Sequence, residues 1–118
     1  MNILLWLLAL FGGQHGWARW YDLPGNVTAS GQMYDASSLT CASRTLPLGS
    51  EVGVMAASGK VVKLTVNDRG PWCTSDYDSP QPECPYIVDL TPAAAMALGM
   101  SFGWEGGVAY GEMEVVVW

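Results

Sequence analysis

The run Val66-Asn67-Asp68-Arg69-Gly70-Pro71 constrains this chain more than any other segment. Alternating apolar residues lead into it, so it reads as a strand ending on a carboxylate and a guanidinium. The glycine and proline behind them force the backbone to turn away. Strand ends closed by such turns are where a rigid scaffold presents working side chains. The competing explanation is an Asp-Arg pair that only closes the turn. The order of the following elements favours a site. Ile87-Val88-Asp89-Leu90 brings a second carboxylate on a second strand, and the alanine-rich run Pro92 to Met100 follows it directly.

The remaining pattern is mainly β with one short helix. Glu51 to Met55 and Lys60 to Val66 are apolar, alternating runs joined by Ala57-Ser58-Gly59, a hairpin signature. Val62, Leu64 and Val66 share one face of the second run, with Lys63 and Thr65 on the other. Thr91 is placed to cap a helix over Pro92 to Leu98, with proline in its first position and Gly99 ending it. The last run, Val108 to Trp118, alternates as one closing strand. At 118 residues this is a single domain, and no repeat or linker divides it.

Several chemistries are disfavoured by counting. The only histidine is His15, so a Ser-His-Asp triad, a Cys-His pair and an ordinary zinc site are not expected, and no metal or cofactor is called for. Proton transfer is left to carboxylates, the groups used in glycosidic bond cleavage. A net charge of −6 without a Lys/Arg stripe argues against nucleic acid and favours a largely uncharged partner recognised by stacking and hydrogen bonds. Trp20, Tyr34, Trp72, Tyr77, Tyr86 and Trp104 fall near expected loops or strand ends, where flat rings can stack on sugars; about half are expected to serve as packing instead.

Met1 to Phe11 is an apolar run of signal-peptide length, too short to span a bilayer as a helix, and Gly16-Trp17-Ala18 offers small residues at a cleavage site. No Lys or Arg precedes the run. The first expectation is an export signal over residues 1–18 and a domain over 19–118; the alternatives are an uncleaved anchor or a core segment. No cysteine follows the run to carry a lipid, so the expected location is periplasmic or extracellular, or virion-associated, without stable membrane insertion once the leader is removed. In an exported chain Cys73 and Cys84 most simply form a disulfide across the polar insert between them. Cys41, in an apolar stretch without a base, reads as a buried thiol.

The segments Ala18-Arg19-Trp20-Tyr21, Thr28 to Asp35, Leu39 to Gly49, Asn67 to Pro71 and Ile87 to Leu90 occur in an order that resembles the rare lipoprotein A family. Those proteins are peptidoglycan lytic transglycosylases built on a six-stranded double-psi β-barrel. The resemblance implies peptidoglycan glycan strands as substrate, a monomeric domain, and lytic cleavage with Asp68 as acid and base. It also implies an acidic residue where Gln32 stands and a histidine where Ser43 stands, and Gln32 cannot shuttle a proton. Asp35 and Asp89 are the further candidate catalytic carboxylates; Gln32, Ser43, Arg69, Trp72 and Tyr34 are the candidate substrate-binding residues. Asp89 also matches the Asp-Leu motif of expansins, which share the barrel and loosen walls without cutting glycans. A non-catalytic glycan binder of that kind is the alternative function, and a buried structural carboxylate is the alternative role of Asp89.

Overall fold

The computed structural model describes residues 12–74, 81 and 83–118. Its elements, in chain order, are strands β1 (Gln14–Trp20), β2 (Thr40–Ala42), β3 (Glu51–Ala56), β4 (Val61–Asp68) and β5 (Tyr86–Leu90), helix α1 (Pro92–Ala97), and strands β6 (Gly103–Glu105), β7 (Val108–Tyr110) and β8 (Glu112–Val117). Six strands close into a barrel in the order β1-β5-β2-β4-β3-β8, while β6 and β7 form a separate hairpin. Two of the ladders, β1 with β5 and β2 with β4, are parallel; the rest are antiparallel. This is the six-stranded double-psi barrel that the family resemblance implied, with the one short helix that the sequence pattern called for.

The period-two pattern sets the interior. On β4, Leu64 and Val66 are fully buried while Lys63 and Thr65 face solvent. Val54, Val88, Leu90 and Val115 join them in one continuous core. Burying each such side chain contributes about 1.5–3 kcal/mol. Helix α1 begins as expected. Thr91 Oγ1 accepts from the Ala94 backbone N–H at 3.3 Å, and its hydroxyl donates to the Ser38 carbonyl at 2.6 Å, which fastens the helix start to a distant loop. Ala94 and Ala95 are buried, so small side chains let the helix lie close on the barrel.

Two boundaries differ from the sequence reading. The closing run is split: β7 and β8 are separated at Gly111, which has φ +124°, and a Cβ there would lie 2.4 Å from the Cβ of Phe102. A close backbone approach, not a polarity change, breaks the strand. The domain edge expected after Ala18 falls inside β1. Gln14 to Arg19 pair with β8, Trp17 to Trp20 pair with β5, and Ala18 is fully buried. His15 therefore belongs to the barrel, where its Nε2 lies 3.5 Å from a Glu114 carboxylate oxygen. Residues 1–11 and Tyr77 lie outside the described residues. Among the described residues, no helix is long and apolar enough to cross a membrane.

Candidate functional site

Asp68 is the last residue of β4, and the chain leaves it through Gly70, whose φ of +136° is open to glycine but strained for other residues. A Cβ at Gly70 would also sit 3.4 Å from Asp89 Oδ2, so the turn runs directly against the second carboxylate. Asp89 lies on β5, opposite Arg19 of β1 in the parallel ladder and opposite Ala42 of β2 in the antiparallel one. Both carboxylates line one open groove of about 380 Å³, walled also by Tyr21, Thr28, Tyr34 and Trp72. A larger depression of about 670 Å³, beside Ser58, Lys60 and Glu114, offers a single carboxylate and no second acid.

The two acids are held differently. Asp68 Oδ1 accepts backbone N–H bonds from Ala29 at 3.0 Å and Arg69 at 2.9 Å, and the Tyr21 hydroxyl reaches Oδ2 at 3.4 Å. Those donors hold the carboxylate in one position. Burial, then the Asp68 charge, pushes the Tyr21 phenol far above its ordinary value, so it remains a donor. The Asp89 side chain is only 15% exposed, and among the described residues its buried Oδ1 has no hydrogen bond, although Arg19 Nε stands 3.6 Å away as an ion pair. Burial raises its pKa to about 6; Arg19 and Arg44 pull it down, and Asp68 pushes it further up. One groove thus contains a carboxylate tied down by donors and a carboxyl able to hold its proton in mildly acidic solution.

The other expected site residues divide. Trp72 is half-buried in the groove wall, and its carbonyl accepts from Arg19 Nη2 at 3.4 Å. Tyr34 also lines the wall but is 8% exposed, its hydroxyl given to the Tyr21 carbonyl at 2.6 Å and its ring set edge-on to Tyr21. Arg69 borders the groove, yet its Nη1 donates to the carbonyls of Ser43 (3.0 Å) and Leu46 (2.6 Å), so much of its donor capacity goes to holding a loop. Ser43 is 2% exposed, and its hydroxyl accepts from the Leu46 and Thr45 backbone N–H groups. That commits it to a turn and takes it out of the groove. Gln32 is exposed on the loop beside β4, where its Oε1 accepts weakly from Asn67 Nδ2 at 3.4 Å. Asp35 stands apart from the pair. Its carboxylate accepts from Ser37 N, Ser37 Oγ and Ser38 Oγ at 2.6 to 2.9 Å, bonds that lower its pKa and mark a turn cap.

The family described as lytic transglycolase matches residues 13–115. The chain belongs to that family. The endolytic peptidoglycan transglycosylase RlpA of Vibrio cholerae is 36% identical over 106 residues, covering 87% of this chain and 35% of that protein. The Pseudomonas aeruginosa protein of the same name is 40% identical over 87 residues, covering 71% of this chain and 23% of that one. The chain therefore spans about a third or less of the length of these two relatives. Among solved structures, the Streptomyces papain inhibitor superposes with a TM-score of 0.57 at 21% identity, covering 89% of this chain and 90% of the inhibitor, a likeness of fold.

Three side chains of this lytic transglycolase domain carry the site without having been assigned a role from sequence. Arg19 faces Asp89, Tyr21 faces Asp68, and Arg44 Nη1 bridges the carbonyls of Pro71 and Tyr86, both at 2.7 Å. All four partners lie more than 20 positions away, so only the tertiary fold brings them together. Cys73 and Cys84 are bonded, with Cα atoms 5.5 Å apart, and Arg44 Nη1 also reaches Cys84 Sγ at 3.3 Å. Cys41 is buried, and burial followed by the Asp89 charge pushes its thiol up to about 12, which leaves it inert as a nucleophile.

Proposed function

We propose that this domain cleaves the glycan strands of peptidoglycan by lytic transglycosylation in the Asp68–Asp89 groove. The observation that carries the reading is the pair of unlike carboxylates in one open groove, one of them a buried acid with a pKa of about 6. Unlike environments for two acids are how general acid and general base roles are separated. Sequence reasoning gave both roles to Asp68; the geometry supports a division of labour. Asp89 gives its proton to the glycosidic oxygen as the C1–O bond breaks, and the leaving sugar departs with a hydroxyl. The 6-hydroxyl of the remaining sugar attacks C1, and its proton passes to Asp68. The product carries a 1,6-anhydro ring, and no water is consumed. The Tyr21 hydroxyl and two backbone N–H groups hold Asp68 in place for that transfer. An exported setting, with the domain acting as a monomer on the wall, is consistent with the Cys73–Cys84 disulfide.

A second reading, a glycan binder without lytic activity, is favoured by two positions. Gln32 replaces the acidic residue that the resemblance implies, and Ser43 in the histidine position is buried with its hydroxyl committed to a turn. Peptide-free glycan strands incubated with wild type and analysed by mass spectrometry for 1,6-anhydro ends separate the two. On the enzymatic reading wild type gives anhydro products, while Asp89→Asn and Asp68→Asn each lose about 10²-fold or more in rate. Gln32→Glu is expected to raise the rate. No product from wild type or Gln32→Glu, with binding retained, replaces the enzyme by the binder.

A further inference from the structure

We propose, resting on the reading that this domain takes glycan strands, that a second hollow beside the catalytic groove is a further saccharide subsite. It is an open cavity of about 430 Å³ where the start of β8 and the end of β7 meet β1 and β5. That size lies within the range of small-ligand sites. Its walls combine flat rings and hydrogen-bonding groups: Trp20, Tyr86 and Tyr110 with Arg19 and Glu112.

Arg19 is the partition between the two hollows. Its Nε faces Asp89, its Nη2 donates to the Trp72 carbonyl, and its guanidinium lies 4.2 Å over the Tyr86 ring on the side of the second cavity. The Tyr86 hydroxyl donates to Glu112. A ligand that occupies the first groove and continues past Arg19 therefore enters the second.

Strand β7 forms the outer lip through Ala109 and Tyr110, and β6 pairs with it. Trp20 Nε1 donates to the Tyr110 carbonyl at 2.7 Å, which fixes the lip against β1. Trp104 pairs with Ala109 across the hairpin and meets Trp20 edge-on at 5.7 Å between ring centroids, yet stays 65% exposed. A large indole held in place but left mostly in solvent has contact area to offer that packing does not use. Rings alternating with donors and acceptors suit a pyranose, with its apolar faces and hydroxyl edges. The hollow's one cation already faces Asp89, Glu112 adds a negative charge, and the chain carries −6 overall. An uncharged sugar unit therefore fits better than an anionic peptide stem.

The test uses Asp68→Asn, which blocks turnover and leaves Arg19 and Asp89 in place, and measures calorimetric binding of peptide-free glycan strands of two and six sugar units. The six-unit strand is expected to bind about tenfold more tightly than the two-unit strand, the size of one added ring contact. Adding Tyr110→Ala, which removes an exposed ring from the wall of the hollow, should erase that gain while leaving two-unit binding unchanged; Glu112→Gln should reduce it. Equal affinity for the two lengths, or a length gain that survives Tyr110→Ala, overturns the subsite and leaves the groove assignment standing. Strands that bind only when they carry stem peptides overturn it in favour of peptide recognition. No binding of either length overturns both the subsite and the glycan reading beneath it.

Discussion

Replacing Asp89 by asparagine measures the energetic cost of keeping this acid buried. Its carboxyl moves from an ordinary 3.8 to about 6 in the fold, a difference corresponding to about 3 kcal/mol. Below pH 3.8 folded and unfolded chains both hold the proton, and Asp89 costs no more than a neutral group. Between 3.8 and 6 the unfolded chain ionises first, so stability falls as pH rises. Above 6 the full penalty is present. Asparagine has nearly the same shape and no charge at any of these pH values, so it avoids that slope. Urea denaturation of both proteins at intervals from pH 3.5 to 7.5 should show Asp89→Asn gaining about 3 kcal/mol relative to wild type across the range. The attraction of Arg19 and Arg44 is already contained in the value of about 6, because it acts only on the ionised carboxyl, so what remains is a pH-independent offset from exchanging a carboxyl for an amide. The pH dependence of the difference is therefore the quantity to read. A difference that stays flat would mean that Asp89 titrates normally, and the argument for a proton-holding acid fails with it. On the enzymatic reading, the same wild-type protein should lose lytic rate as pH rises through about 6, as the protonated fraction declines.

Arg19→Gln removes a charge that lowers the Asp89 pKa, so the midpoint of Asp89 titration, followed by NMR of a side-chain ¹³C-labelled sample, should move up; a downward move contradicts the ion pair. Changing Cys73 and Cys84 together to serine should cost about 3 kcal/mol by the chain-entropy model for a separation of 11 residues, read by denaturation with and without reductant. Gly111→Ala should destabilise by about 2 kcal/mol or more, because its φ is strained for alanine and Phe102 occupies the space of the new Cβ; unchanged stability would show that the β7–β8 corner is soft. A chain starting at Gln14 should fold, while one starting at Arg19 should not, as judged by amide dispersion in NMR, because the latter lacks five of the six β1 residues that pair with β8.

Local chemistry determined much of this protein. Alternation in β4 set its inner face, Thr91 with Pro92 set the helix start, and the two cysteines bracketing a polar insert set the disulfide. Each depends on residues near in sequence or on a count, and can be read from one dimension. The motif Asn67 to Pro71 likewise placed Asp68 at a strand end. What each side chain does there was decided elsewhere. Asp35 looked as acidic as Asp89, yet two neighbouring serines turned it into a loop cap. Ser43 and Arg69 sit inside matching motifs, yet their polar groups are spent on backbone partners that the folded loops bring to them. Asp89 became the perturbed acid because a parallel ladder sets β1 against β5, so that Arg19 stands beside a carboxylate 70 positions away while the barrel removes it from water. Desolvation and pairing are properties of an enclosed volume, and only closing the barrel creates that volume.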